Sequence, residues 1–539
     1  MPLYIIYIIS YERLIWLVDI LFKRCTIIDG TGRAQYKSDI AVKNGKIMLV
    51  NKRITREQVS PKIVIDIEGK VICPGFVDTH THSDMILLYD RQHVSGLSQG
   101  VTTEIIGQDG LSYAPLSEKN LCEYSKYLRG LNGIFPVPLD FNSVKQYREK
   151  LNNQVAINTA YLFPHCAVRL ETVGFKDTPL VGANLDKAKD ILKQGMIEGA
   201  KGLSTGLSYF PGAFSDTNEL VELCKVIVEY NGVYATHLRT VYRGKPFDGV
   251  AEAIEIARRS GVKLHFSHYK TGPATLGHPD EIMKKIYRAV SDGIDISLEL
   301  YPYPYGSSFA AMFLPYWAND GGFDAIMQHL SDKKTKKLIA DHIDRENLLE
   351  DGIICNLINN TQYIGMKFSE VAALRNQTKG QFICDLLYEE QLAFSFYEVP
   401  PKDLDKIEYI FISDLLGLLD NDYYMVGSDA IFAGDNPHPR TYGSFTKLLR
   451  ICRERGVKLE KIINRMTGLP CKRFNIKKRG IVKEGYFADL VVFDPQTVTD
   501  TSTPSFSRNL SRGIEYVVVN GKFALYNSGV TGIFAGRSL

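Results

Sequence analysis

Helix-like and strand-like patterns alternate through the middle of the chain. Between residues 155 and 301, amphipathic stretches with helical spacing each end in a glycine, and a short β-rich run follows at once, as in "FDGVAEAIEIARRSGVKLHFSH". The glycines stand where the end of a helix favours a left-handed residue, and they are Gly199, Gly232, Gly261 and Gly293. Helices that alternate with short apolar strands predict a parallel sheet.

Four more strand-like segments bring the number of predicted strands to eight. They are "GFVDTHTH", "GVTTEIIG", "VAINTAYLFPH" and, much later, "YYMVGSD". Eight βα units predict an α/β fold of the (β/α)8, TIM-like barrel type, whose active site lies at the C-terminal ends of the strands. Polar residues stand at or just after these predicted ends, namely His82, Asp109, His165, His237, His268, Tyr301 and Asp429.

The remaining segments predict an insertion and a second, smaller domain. Residues 304–422 are too long for one connection and carry the helical pattern "DAIMQHLSDKKTKKLIADHIDRE", so we expect an insertion between the seventh and eighth strands. Near both ends of the chain, Asn-Gly stands between alternating apolar residues, which indicates hairpins. We therefore expect residues 1–75 and 476–539 to form one composite β-sandwich domain, and residues 76–475 to form the barrel.

Composition and charge narrow the class of protein. The chain is 45% hydrophobic and 23% charged, which is ordinary for a soluble globular protein, and its net charge of +3 argues against nucleic acid or an anionic membrane as partner. Nine dispersed cysteines without a CxxC pair indicate reduced thiols and a cytoplasmic location. The apolar run from Met1 to Tyr11 is shorter than the roughly 20 residues of a membrane span. We interpret it as an extension that leads into the first strand, with contact with a membrane surface as the alternative.

The pair His80 and His82 is the strongest candidate for chemistry. Residues two apart on a strand point to the same face, so both rings can bind one ion. A catalytic metal takes imidazole and carboxylate ligands and keeps one position open, and the further candidates at strand ends are His237, His268 and Asp429. Three histidines outside this pattern are interpreted as packed or surface residues, namely His93, His329 and His342.

The order of these residues, His-x-His on strand one, His on strands five and six and Asp on strand eight, resembles the amidohydrolase superfamily. The stretches "GAKGLSTGLSYFPGAFSDTNEL", "YATHLR", "FSHYK", "YPYPYGSS" and "HPRTYGSF" are more specific. With "MTGLPCKRFNIKKRGIVKEGYFADLVVFDP" they are similar to the N-acyl-D-amino-acid deacylases (D-aminoacylases). The resemblance runs from about Val18 to the last residue. It implies a barrel of the metal-dependent hydrolase type and hydrolysis of N-acyl-D-amino acids to a carboxylate and a free D-amino acid.

The same resemblance implies roles for individual residues. His80, His82 and Asp429 match one metal position, and His237 with His268 matches the other. A metal-activated hydroxide attacks the acyl carbonyl in this family, and Asp429 matches the residue that carries the proton to the leaving amine. Arg440 matches a residue that binds the substrate carboxylate, to which a planar guanidinium is suited. Further residues that match contacts with the substrate are Lys270, Tyr209, Tyr301 and Ser307.

One position departs from the family pattern. Asp109, in "IIGQDGLSYAPL", stands where the family has a cysteine ligand. A carboxylate can bridge two metals, but it is a harder ligand than a thiolate, so we expect one or two divalent ions, Zn²⁺ foremost, with Mn²⁺, Fe²⁺ or Co²⁺ as alternatives. The other interpretation of Asp109 is a turn residue in Gln-Asp-Gly. A smaller departure is Glu299, where the family more often has Asp.

Two other functions stay open. A cyclic amide hydrolase, such as a dihydroorotase or hydantoinase, shares the fold but carries a carboxylated lysine at strand four, where Lys201 is the candidate. A catalytically silent homologue could instead serve as an assembly partner. We expect a small-molecule N-acyl amino acid as substrate and leave open whether the chain forms a homo-oligomer.

Overall fold

The computed structural model describes residues 16–539. The prediction about the apolar run from Met1 to Tyr11 therefore lies outside the described residues. Within residues 16–539, no helix combines the length and the apolar character needed to cross a membrane.

Eight parallel strands form the centre of the protein. They are Phe76–Asp78, Val101–Ile106, Asn158–Tyr161 with its continuation Phe163–Pro164, Gly202–Gly206, Val233–His237, Lys263–Phe266, Ile296–Leu300 and Tyr424–Val426. Each strand pairs in parallel with the next, except at the third, where the chain passes from one sheet to the other at Leu162.

Backbone hydrogen bonds join the two sheets into a ring. Leu162 N donates to Ile106 O over 2.9 Å, which bridges the break in the third strand. Beyond the first and eighth strands, Thr81 and Ala430 form a parallel bridge. The eighth strand is thus the neighbour of the first, and the predicted (β/α)8 barrel is confirmed.

Helices surround this ring. The longer ones are Glu118–Tyr127, Val144–Leu151, His165–Thr172, Ala183–Ile197, Thr217–Val228, Gly249–Ser260, Pro279–Ser291, Leu404–Leu419, Arg440–Glu454 and Leu459–Met466. Shorter helices are Ile86–Tyr89, Val94–Leu97, Arg129–Asn132 and Gly468–Arg473.

The predicted left-handed glycines are confirmed at three of four helix ends. Gly199, Gly261 and Gly293 have φ values of 104°, 77° and 87°. At the fourth end the prediction is wrong, because Asn231 takes the left-handed conformation, with φ of 56°. Gly232 instead allows close packing, since a Cβ there would lie 3.0 Å from Ile227 O.

Both ends of the described chain contribute to one β domain beside the barrel. Its strands are Trp16–Ile27, Tyr36–Lys43, Lys46–Asn51, Val59–Asp66, Val71–Pro74, Leu490–Phe493, Ile514–Val519, Lys522–Tyr526 and Gly529–Val530. They form a single nine-stranded sheet, in which Val71–Pro74 pairs antiparallel with Leu490–Phe493. Asn44 and Asn520 have left-handed backbones, as the two predicted Asn-Gly hairpins require. The exact domain limits stay a prediction.

Residues 304–422 form a compact insertion and the helix that precedes the eighth strand. A three-stranded antiparallel sheet, Ser307–Phe309, Ser395–Glu398 and Gly352–Asn356, carries the helices Gly322–Ser331, Lys333–Glu346, Phe368–Leu374 and Lys379–Glu389. The predicted helical stretch is two helices, because the chain turns at Asp332, whose side chain accepts a hydrogen bond from Thr335 N (2.8 Å) and caps the second helix.

Candidate active site

The C-terminal ends of five barrel strands bring all the predicted metal-binding side chains together. His80 and His82 follow the first strand, and Asp109 lies in a turn, Gln108–Gly110, after the second. His237 ends the fifth strand, whereas His268 and Asp429 follow the sixth and eighth.

His80 and His82 face two carboxylates. Their Nε2 atoms lie 3.6 and 3.7 Å from Asp109 Oδ2. The same two nitrogens lie 3.6 and 3.4 Å from Asp429 Oδ1. The four side chains thus direct one donor atom each toward a common point.

A second group shares Asp109 with the first. His237 Nδ1 and His268 Nε2 lie 3.7 and 4.0 Å from Asp109 Oδ2, and the two ring nitrogens are 2.9 Å apart. Asp109 Oδ2 therefore belongs to two sets of three potential ligands, one with His80 and His82 and one with His237 and His268.

These donor sets fit divalent metal ions. A tetrahedral zinc ion with bonds of about 2.1 Å holds its ligand atoms about 3.4 Å apart, close to the observed spacing around His82 and Asp429. His80 Nε2 and Asp109 Oδ1 are buried without a hydrogen-bond partner, an arrangement that is costly unless something else satisfies these atoms. Imidazole and carboxylate are ligands of zinc and its neighbours in the first transition series.

The backbone at three of these residues adopts a rare conformation. Asp109, His268 and Asp429 have φ values of 55°, 39° and 52°, in the left-handed region that costs energy for residues other than glycine. The turn at Asp109 also passes so close to strand four that a Cβ on Gly206 would lie 2.4 Å from Asp109 O. The surrounding structure holds these side chains in a strained but defined orientation, as is common at functional sites.

Glu299 orients His80 from behind. Its Oε1 lies 2.5 Å from His80 Nδ1, and its Oε2 lies 3.1 Å from His265 Nε2 and also accepts a hydrogen bond from Thr79 Oγ1. When Nδ1 of His80 carries the proton, Nε2 is unprotonated, and its lone pair faces the cluster and can bind a metal.

The charge states of Asp429 and His268 suit metal binding. Burial alone would raise the pKa of Asp429, but Arg440 and then His82 hold it well below its usual value, so the carboxylate is ionised. Burial together with His237 lowers the pKa of His268 to about 4, so its ring is neutral near pH 7. Ionised carboxylates and neutral imidazoles are the forms that bind metals.

A cationic group lies beside the cluster. Arg440 is fully buried, with Nη1 2.9 Å from Asp429 Oδ2 and Nη2 donating to Ser307 O over 3.2 Å. The guanidinium carbon of Arg440 and Lys270 Nζ lie 4.7 and 4.8 Å from the ring centre of Tyr301. Burial lowers the pKa of Lys270 to about 8, despite the nearby carboxylate of Glu398.

Ser307 and Tyr209 complete the predicted set. Ser307 Oγ donates to Phe396 O over 2.9 Å. The ring of Tyr209 lies 4.8 Å from that of His237, and its hydroxyl is 3.4 Å from Ser308 Oγ. All the predicted site residues except His80 and Lys270 line one cavity of about 230 Å³. Those two residues contact residues that do line it, His80 through Asp109 and Asp429 and Lys270 through Tyr301.

Several polar residues near strand ends do not join the cluster. His165 begins a helix, and its Nε2 lies 2.7 Å from Glu219 Oε1. His93 is buried against Glu104, as the packed interpretation expected. Lys201 precedes the fourth strand and therefore lies at the N-terminal end of the barrel, where burial and the nearby Arg148 lower its pKa. A carboxylated Lys201 could not reach the metal cluster from that end.

Comparisons with known proteins agree with this geometry. The amidohydrolase family profile matches residues 63–285 and 407–524. The chain is 30% identical to a D-aminoacylase of Alcaligenes xylosoxydans xylosoxydans, over 97% of each chain. It is 29% identical to an N-acyl-D-aspartate deacylase of the same organism, over 94% of this chain and 91% of the relative.

A solved structure aligns with most of the chain. It is an N-acyl-D-glutamate deacylase from Bordetella bronchiseptica, complexed with zinc and a phosphonate inhibitor that mimics the tetrahedral intermediate of the reaction. The TM-score is 0.80 at 28% identity, and the alignment covers 97% of this chain and 99% of the other.

Proposed function

The chain belongs to the amidohydrolase family, in its N-acyl-D-amino-acid deacylase (D-aminoacylase) branch, and from this premise we propose that it hydrolyses the linear amide of N-acyl-D-amino acids. The products are a carboxylate and a free D-amino acid. The activity of the relatives supports this reaction.

One observation carries the proposal. Two pairs of histidines share a single carboxylate oxygen, Asp109 Oδ2, and a buried arginine, Arg440, lines the same cavity next to Asp429. A metal-dependent amidase needs a metal cluster next to a group that binds the substrate's own charge, and this cavity offers both.

We assign the first metal position to His80, His82 and Asp429, the second to His237 and His268, and Asp109 to both. A bound divalent ion would polarise the acyl carbonyl and lower the pKa of a water molecule toward about 7. Asp429 Oδ1 faces the cluster, while Arg440 holds Oδ2. Its carboxylate can take a proton from the water and return it to the leaving nitrogen.

The part of the cavity next to Arg440 would bind the α-carboxylate of the substrate. Arg440 Nε has no hydrogen-bond partner among the described residues, and Lys270 shares the ring of Tyr301 with the guanidinium. The guanidinium of Arg440, which lines the cavity, would pair with the carboxylate, and Lys270 would add positive charge from beside Tyr301. Ser307 and Tyr209 line the same cavity.

The metal is proposed to be zinc, in one or two copies per chain. Its presence in the Bordetella bronchiseptica relative supports this identity. The carboxylate of Asp109 weakens the preference for zinc, so Mn²⁺, Fe²⁺ and Co²⁺ are alternatives. All nine cysteines are free and all lie in the described chain, which supports a reducing compartment such as the cytoplasm.

A substrate panel tests the proposed function. The purified protein is analysed for bound metal and assayed with N-acetyl-D- and N-acetyl-L-amino acids, dihydroorotate and hydantoin. We expect bound divalent metal and cleavage of the D-substrates. Cleavage of a cyclic amide without cleavage of any D-substrate would favour the cyclic amide hydrolase. A protein without metal and without turnover would favour the silent homologue.

A further inference from the structure

We propose that the side chain of the substrate is apolar and uncharged, and that it packs against a wall of the cavity built largely by the insertion. This inference rests on the proposed function. The wall, called the apolar wall below, consists of Leu131, Met312, Phe313, Leu348, Leu349 and Phe396. The overall similarity to relatives does not identify the side chain, because a D-aminoacylase and an N-acyl-D-aspartate deacylase match almost equally well.

Positive charge at the cavity comes from Arg440 and from its neighbour Lys270, and no residue of the apolar wall carries any. Among the described residues that line the cavity, Arg440 carries the one permanent positive charge. Arg440 and Lys270 both lie against Tyr301, where the α-carboxylate of the substrate would bind. A second carboxylate, on the side chain of an acidic substrate, would meet the apolar wall without a cationic partner, which is costly.

Glu398 adds a negative charge near the apolar wall. Phe396 and Glu398 are two apart on the strand Ser395–Glu398, so they share one face. Both line the cavity, where Glu398 Oε2 accepts a hydrogen bond from Gly306 N over 3.0 Å. This carboxylate lies near Lys270 as well, so it offsets part of the positive charge there and offers no cationic partner to an acidic side chain.

The apolar wall has a buried base and an exposed edge. The rings of Phe313 and Phe396 stack with centres 5.0 Å apart, and Leu131 is buried. Leu348, in the connection between the helix Lys333–Glu346 and the strand Gly352–Asn356, is 56% exposed although it lines the cavity. An apolar side chain on the substrate would cover this leucine. The removal of both apolar surfaces from water would strengthen binding.

The test compares side chains at a fixed acyl group. The zinc-loaded full-length enzyme is assayed with the N-acetyl derivatives of D-leucine, D-methionine, D-aspartate, D-glutamate and D-lysine. We expect kcat/KM for the D-leucine or D-methionine derivative to exceed that for either acidic derivative by about 100-fold or more. A charged group without a partner in the pocket lowers kcat/KM more than the loss of one methylene does.

A matched pair of variants locates the effect at the apolar wall. Leu348→Arg places a cation at the edge of the cavity, whereas Leu338→Arg changes a leucine of similar exposure, 53%, outside the cavity. Leu348→Arg should reduce the preference for leucine over aspartate by about 10-fold or more, and Leu338→Arg should leave it unchanged.

Several results would overturn the inference, and they differ from failure of the proposed function. A wild-type preference for the D-aspartate, D-glutamate or D-lysine derivative would overturn the apolar assignment while leaving D-deacylation intact. If Leu348→Arg kept the wild-type preference for leucine over aspartate, the apolar wall would not determine specificity. Turnover of no D-derivative by metal-loaded enzyme would refute the proposed function, and the side-chain inference with it.

Discussion

The contact between Glu299 and His80 allows a quantitative prediction. Both side chains are buried, with exposures of 1% and 0%, and Glu299 Oε1 lies 2.5 Å from His80 Nδ1. Substitution Glu299→Gln keeps the size of the side chain but replaces a charge-assisted hydrogen bond by a neutral one. It also weakens the constraint that keeps the proton on Nδ1 and leaves Nε2 free for a metal.

The expected loss is in metal affinity. Replacing the carboxylate that orients a metal-binding histidine costs about 10- to 100-fold in affinity, or about 1.4 to 2.8 kcal/mol. Because the contact is fully buried and Glu299 also holds His265 and Thr79, we expect a value near the upper limit. Zinc affinity is measured by competition with a chromophoric chelator, and kcat/KM at limiting zinc should fall in parallel.

A second buried pair supplies the control. Glu219 Oε1 lies 2.7 Å from His165 Nε2, outside the cluster, so Glu219→Gln makes the same chemical change away from the metal. It should lower the thermal stability and leave zinc affinity unchanged. A Glu299→Gln protein that binds zinc within twofold of the wild type would refute the argument that Glu299 orients His80 for metal binding.

Three further predictions concern other residues. Asp429→Asn should lower kcat by about 10²- to 10⁴-fold while the metal content, measured by elemental analysis, stays close to that of the wild type; an active variant would exclude Asp429 as the proton carrier. Arg440→Lys keeps the charge but loses the planar pair of donors, so KM for an N-acetyl-D-amino acid should rise about 10-fold or more, and an unchanged KM would place the substrate carboxylate elsewhere. Lys201→Ala should leave metal content and kcat/KM within about twofold, whereas loss of metal would favour the carboxylated lysine of a cyclic amide hydrolase.

The sequence predicts the barrel and the cluster because both follow from local rules. Helical and strand periods identify the βα units, and the C-terminal ends of parallel strands meet at one face of a barrel. His80, Asp109 and Asp429 are therefore brought together by topology alone. The same rule also selects His165, because it stands at a strand end. In the structure this residue begins a helix and pairs with Glu219, outside the cluster.

Other features depend on packing between distant segments. Nothing near Glu299 in the sequence shows that its carboxylate bonds to His80, more than 200 residues away. The apolar wall could not be predicted from the sequence either. Its residues Leu131, Phe313 and Leu348 belong to separate segments that meet only when the insertion folds. At the helix end near Gly232, asparagine and glycine can both adopt the left-handed conformation, and only the structure shows that Asn231 does so.

The central claim is that Asp109 joins two pairs of histidines into one metal-dependent catalytic site. It is tested most directly by the rate of N-acetyl-D-amino-acid hydrolysis as zinc is returned to chelator-stripped enzyme, measured for the wild type and for Asp109→Ala. We predict that stripped wild-type enzyme is inactive and recovers with added zinc, whereas Asp109→Ala stays largely inactive at the zinc concentration that saturates the wild type. Activity in the stripped wild type, or the same recovery curve for Asp109→Ala, would contradict the account.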